Sequence, residues 1–305
     1  MFEVMTLSKF PNHQYQLPAA DRHLSYSEVG DASSAHVLLC LPGLLETRAT
    51  FDPLLQAAVG VRGLRIISLD LCGRGASSLL PGDEGYTMQV YLHDTMAFIQ
   101  HVVMHAAVPV KRLEVMGTSM GGILAMYLAH EASNHIEGLF LNDIGLNLPW
   151  MSIYGLYDGM KVEGRLPTPE VMAAQFNVSL GAVLAVQSPA HFDLPYRKDW
   201  KGMNFGHLLN HFKGPVRLIH GSESGVCPPE QVRLMKSEFA HCQVLEVPGA
   251  HHPAPLTPEV CAFVLKALSE VPEAAESTEA KELREEKERG FWPWLKQRYR
   301  DAKAT

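Results

Sequence analysis

The chain has 305 residues, is 47% hydrophobic and carries a formal net charge of −7 with a pI near 6.1. It holds enough apolar material for a large buried core, and its acidity gives no global electrostatic case for binding nucleic acid. Cys40, Cys72, Cys227, Cys242 and Cys261 are scattered, odd in number and without metal-ligand spacing. They point to reduced thiols, a cytoplasmic setting and no bound metal.

In chain order, residues 1–30 alternate loosely at Leu24, Tyr26 and Glu28 and predict edge strands running to a turn at Gly30-Asp31. No secretory h-region is expected in Met1 to Phe10, and no apolar run reaches the roughly 20 residues of a membrane span. His36 to Leu41 is a continuous apolar run, the pattern of a strand buried on both faces, and it ends in Pro42-Gly43-Leu44-Leu45-Glu46. Thr50 to Ala58 reads as a helix. Leu64 to Asp70 reads as a strand entering Leu71-Cys72-Gly73-Arg74-Gly75-Ala76-Ser77-Ser78, and Thr87 to His105 as a second helix.

The next stretch, Leu113-Glu114-Val115-Met116-Gly117-Thr118-Ser119-Met120-Gly121-Gly122, runs as a strand into G-x-S-x-G, and a helical pattern opens at Ile123. Strand, sharp turn and helix in that order make a nucleophile elbow. The turn strains the backbone at Ser119 and needs small neighbours, and the amides of the new helix favour developing negative charge.

Past the elbow, Leu139 to Gly145 reads as a strand closing on Asp143. Residues 146–206 break the alternation. They are rich in Met, Tyr, Trp, Pro and Gly, with a helical piece at Thr168 to Phe176, too long for a plain connection and therefore an inserted helical cap. Strand Val216 to Gly221, helix Pro229 to Phe239, strand Gln243 to Val247, the loop Pro248 to Pro253 and helix Thr257 to Leu268 follow. The alternation predicts an α/β fold, a mostly parallel twisted sheet with helices on both faces. Residues 1–145 and 207–270 form its core, 146–206 the cap, 271–289 a charged linker and 290–305 an aromatic-basic tail.

With the elbow, its flanking loops and the late histidine in place, the chain resembles the α/β-hydrolase family. It is most similar to capped bacterial serine hydrolases with G-T-S-x-G-G at the elbow and L-N-D-I-G after the next strand, matched by Gly117–Gly122 and Leu141–Gly145. The resemblance implies Ser119 as nucleophile and the backbone amides of Leu44 and Met120 as the oxyanion hole. It implies His252 as general base, aligned through Gly249 and Leu256, with His251 as the alternative. It implies no cofactor, and serine at the elbow excludes the chemistries that need aspartate there.

The acid departs from the pattern. The family's positions after Gly221 hold Ser224 and Gly225, neither of which can fix an imidazolium. Asp143, Glu223 and the absence of any working acid remain open, with Asp143 taken as the working choice. The expected activity is hydrolysis of a carboxylic ester with an apolar acyl group, through an acyl-enzyme at Ser119. Leu148, Trp150, Met151, Tyr154, Leu156, Tyr157 and Met160 would line an apolar pocket. Carbon–carbon hydrolysis of a diketone-type substrate and a binding protein that has lost turnover are the rival readings. The expected partner is a small hydrophobic ester and no nucleic acid. In residues 290–305, Phe291, Trp292, Trp294, Leu295 and Tyr299 sit among Lys296, Arg298, Arg300 and Lys303, a composition suited to self-docking or to a weak membrane, granule or protein contact.

Overall fold

A computed structural model describes residues 7–18, 20–80, 85–104, 110–133, 135–149, 168–185 and 202–270. The expected linker 271–289, the expected tail 290–305 and, of the residues expected to line a cap pocket, Trp150, Met151, Tyr154, Leu156, Tyr157 and Met160 lie outside the described residues.

The strands are β1 (His13–Gln16), β2 (His23–Gly30), β3 (His36–Leu41), β4 (Arg65–Leu69), β5 (Arg112–Thr118) and β6 (Ile136–Asn142). They continue with β7 (Asn147–Pro149), β8 (Gly202–Asn204), β9 (Val216–Gly221) and β10 (Gln243–Val247). Eight of them form one sheet in the order β1-β2-β4-β3-β5-β6-β9-β10, while β7 and β8 pair separately. Within the eight-stranded sheet every pairing from β4 across to β10 is parallel, and only β2 with β4 and β1 with β2 run antiparallel; the separate β7–β8 pair is antiparallel. The predicted edge strands are thus real, and they are the antiparallel edge of an otherwise parallel sheet.

The apolar runs explain the centre. Val37 to Leu41 are all buried, as are Leu113 to Thr118, because helices cover both faces of a parallel sheet. The helices are α1 (Asp52–Ala58), α2 (Met88–Met104), α3 (Met120–Glu131), α4 (Pro169–Phe176), α5 (Leu180–Ala185), α6 (Pro229–Glu238) and α7 (Pro258–Ser269). A 3₁₀ turn at Arg48–Phe51 precedes α1, where the sequence predicts one continuous helix from Thr50. The predicted helix at Thr168 is α4, with Thr168 as N-cap accepting from the Val171 amide.

The strand expected from Leu139 starts three residues earlier, at Ile136. The polar Glu137 and the small Gly138 hide that start in the sequence. Gly138 faces Glu114, a buried carboxylate on β5 with Oε1 2.4 Å from where a glycine Cβ would stand. Glu114 is held there by His36 at 2.8 Å, Arg217 at 2.9 Å and Arg112 at 3.2 Å. A buried charge of this kind persists only when so paired.

Among the described residues no helix is long and apolar enough to cross a membrane, and no cluster of three His, Cys, Asp or Glu could hold a metal ion.

Candidate active site

The C-terminal edge of the parallel strands gathers three side chains from distant parts of the chain. β5 ends at Thr118, and α3 begins at Met120, leaving Ser119 alone at the turn with φ +50° and ψ −115°. This is a left-handed conformation that costs a serine energy and is kept by its surroundings. Close packing enforces the turn. A Cβ on Gly117 would lie 2.1 Å from the Gly121 carbonyl oxygen, and one on Gly121 would lie 2.2 Å from the Leu41 carbonyl oxygen. Only glycine lets strand and helix approach so closely.

Asp143 follows the last residue of β6 and is fully buried, also in the left-handed region at φ +59°. Its backbone N–H donates to the Ile219 carbonyl at 2.8 Å, and its Oδ1 accepts from the Gly221 N–H at 3.0 Å. The carboxylate is therefore fixed by the end of β9, the neighbouring strand. Its other oxygen, Oδ2, lies 2.8 Å from His252 Nδ1. The opposite ring nitrogen, His252 Nε2, lies 2.8 Å from Ser119 Oγ.

A carboxylate can only accept, so Nδ1 carries the proton and Nε2 is left to accept from the serine hydroxyl. The arrangement can withdraw a proton from Ser119 Oγ as the oxygen attacks, with Asp143 holding tautomer and charge. The His252 loop is itself anchored: the Asn142 side-chain amide donates to the Ala254 carbonyl at 2.9 Å and to Thr118 Oγ1 at 3.3 Å.

The alternatives in the sequence fall elsewhere. Glu223 Oε2 lies 3.3 Å from His251 Nε2, and both side chains are more than half exposed, so these two residues face each other and not Ser119. Ser224, at one of the expected acid positions, accepts from the Val226 and Cys227 amides at 3.2 and 3.0 Å and shapes a turn. Leu44 sits in the loop after β3, and Met120 opens α3 beside Ser119. Leu148 is buried in β7.

Two groups beside the site were not singled out from the sequence. Glu46 accepts from the Gly43 N–H at 2.7 Å within the loop that carries Leu44. Desolvation pushes its carboxyl from an ordinary 4.5 up to about 7, against the pull of the Gly43 amide and of nearby His252. The buried Arg74 donates from Nε to the Leu44 carbonyl at 3.2 Å. An arginine held between two glycines was the signal available for it.

The thiols of Cys40, Cys72 and Cys227 are pushed up by burial, away from nucleophilic character.

Sheet order, elbow and the late histidine define the chain as having the alpha/beta hydrolase fold, and residues 36–161 match the family model of that description. It is 27% identical over 273 residues to a 3-hydroxybutyrate-oligomer hydrolase of Cupriavidus necator, covering 77% of this chain and 88% of the relative. It is 25% identical over 220 residues to a proline iminopeptidase of Pestalotiopsis fici, covering 62% of this chain and 75% of that one. A solved structure of an alpha/beta hydrolase from Novosphingobium aromaticivorans superposes with a TM-score of 0.66 at 18% identity, over 87% of this chain and 100% of the other.

Proposed function

We propose that this chain is a cofactor-independent serine hydrolase of carboxylic esters. The reading rests on one observation, the continuous Ser119–His252–Asp143 relay with both links at 2.8 Å. Ser119 Oγ attacks the acyl carbon while His252 Nε2 takes its proton. The tetrahedral oxyanion is held by the amides of Leu44 and Met120, the latter at the positive end of α3. Collapse expels the alcohol, which receives the proton from His252 and leaves an acyl-enzyme at Ser119. Water, deprotonated by the same imidazole, then releases the acid.

The relay supports turnover over the binding-protein reading, whose motive was the empty acid position after β9. The relative in Cupriavidus necator supports an ester between hydroxy acids as substrate, and its short aliphatic units suit the expected apolar acyl group.

The test is a panel of p-nitrophenyl esters of rising chain length together with 3-hydroxybutyrate dimer and trimer. Alongside it, an alkyl fluorophosphonate should label Ser119 covalently. Ser119→Ala should lose both labelling and hydrolysis while unfolding at the wild-type temperature. Turnover above a few per cent in that variant would place the chemistry elsewhere.

A further inference from the structure

Arg74 is 1% exposed and the largest fully buried side chain among the described residues. Its guanidinium donates to the Leu44 carbonyl at 3.2 Å, the Cys72 carbonyl at 3.2 Å and Tyr91 Oη at 3.1 Å. Nη2 reaches Met120 Sδ at 3.8 Å, and Cζ stands 4.8 Å from the centre of the Tyr91 ring. All four acceptors are neutral. The neighbouring carboxylates serve other cations, Asp70 pairing with Arg48 and Asp94 with Arg22. Among the described residues, then, the hydrogen bonds of Arg74 go to dipoles, and a buried cation so held lends positive potential to its surroundings.

Two of those acceptors belong to Leu44 and Met120, the residues whose amides are assigned to the oxyanion. The backbone around Arg74 makes a third connection. The Gly75 N–H donates to the Asn177 carbonyl at 2.8 Å, the Ser179 N–H donates to the Gly73 carbonyl at 2.6 Å, and Arg74 bridges Val178. Val178 lies in a buried cluster with Met172, Ala173 and Val183, against which Leu45 packs. The loop carrying Leu44 is thus gripped from one side by the α4–α5 segment through Leu45 and from the other by Arg74, whose own loop seats that segment.

We propose that Arg74 is a positioning residue for the oxyanion hole, tying the seat of the α4–α5 segment to the backbone of Leu44 and the side chain of Met120. The proposal rests on the serine-hydrolase reading above. It acts through geometry, by fixing the Leu44–Leu45 peptide, and through charge, by placing a cation behind the point where negative charge develops.

The experiment compares Arg74→Gln and Arg74→Lys with wild type on a p-nitrophenyl ester and against an alkyl trifluoromethyl ketone, whose tetrahedral adduct seats its oxygen in the hole. Arg74→Gln should lower kcat by about 30-fold with KM within about threefold, and weaken the ketone by a factor similar to the loss in kcat. Arg74→Lys keeps the charge but not the fork, and should recover part of both losses. A purely structural arginine would move the unfolding temperature and leave the ratio of ketone affinity to KM unchanged. That result, or kcat within twofold of wild type, overturns the proposal.

Should Arg74→Gln fail to fold, Tyr91→Phe removes one anchor of the guanidinium and should lower kcat and ketone affinity together by about threefold. No change in either overturns the proposal. Wild-type protein that is not labelled at Ser119 by fluorophosphonate would overturn this proposal and the hydrolase reading together. Labelled, active wild type with indifferent Arg74 and Tyr91 variants would sink this proposal alone.

Discussion

The ends of β6 and β9 are neighbours in the sheet, and either could present a carboxylate to His252. They have divided the work unequally. After β6, Asp143 adopts a left-handed backbone, accepts a hydrogen bond from the Gly221 N–H and offers its remaining oxygen to the imidazole. After β9, the chain turns on Ser224, and its nearest carboxylate, Glu223, looks outward to His251. The β9 end thus supplies the amide that fixes the Asp143 carboxylate, while its own Glu223 does not meet His252. A histidine needs a carboxylate at a given place and orientation, and the strand from which it comes is immaterial.

The comparison can be broken most severely at Asp143. Asp143→Asn should cost on the order of 10⁴ in kcat, because the amide presents the wrong hydrogen-bonding character to Nδ1, as for the corresponding change in other triads. Steady-state kinetics on a p-nitrophenyl ester measures it, and a loss under tenfold would mean His252 works without this partner. The reverse experiment moves the acid to the other strand. A Cβ at Gly225 meets no atom within 4 Å, so Gly225→Asp has room. Added to Asp143→Asn, it should recover about 10- to 100-fold of the lost kcat, and no recovery would show that the β9 turn cannot aim a carboxylate at His252.

Ser224→Ala should leave kcat unchanged while costing about 1 kcal/mol of stability, since two amides lose their side-chain acceptor. Thermal or urea unfolding reads that loss, and a drop in kcat would assign the turn a part in the chemistry. The smallest effect is expected at Glu223→Gln: less than twofold in kcat and within about 0.5 kcal/mol in stability, as for other exposed pairs.

What the sequence made legible follows from distance along the chain. β9 and β10 fall on their predicted residues because their apolar runs have clear boundaries, and Ser119 is announced by glycines whose spacing is a local steric demand. The choice between Asp143 and Glu223 was not local. Both carboxylates stand near strand ends, and only the β6–β9 pairing decides which of them meets His252. Arg74 was harder still, for a lone arginine in a loop normally reads as solvated, and its burial depends on Leu44, Tyr91 and Met120, which come from three separate segments. Gly138 concealed the start of β6 for the same reason, its smallness being a response to Glu114 on another strand.

The raised carboxyl of Glu46 makes the fold a proton-binding reagent. Its value is 4.5 in ordinary surroundings and about 7 in the folded chain, so at pH 6 folding takes up most of one proton at this position. The stabilisation attached to that proton is fully present below about 4.5 and is lost as the pH climbs through 7, the slope expected of any group whose value is raised by folding. Replacing Glu46 by Gln should flatten that part of the stability profile and leave the variant more stable than wild type at pH 8, by about 1–2 kcal/mol once residual solvent screening is allowed for. Urea titrations of the two proteins at pH 5 and pH 8 measure the difference directly, and parallel profiles would show that the carboxyl titrates normally. At neutral pH the loop that holds Leu44 thus carries a carboxyl that is only about half ionised, where an ordinary glutamate would be charged in nearly every molecule.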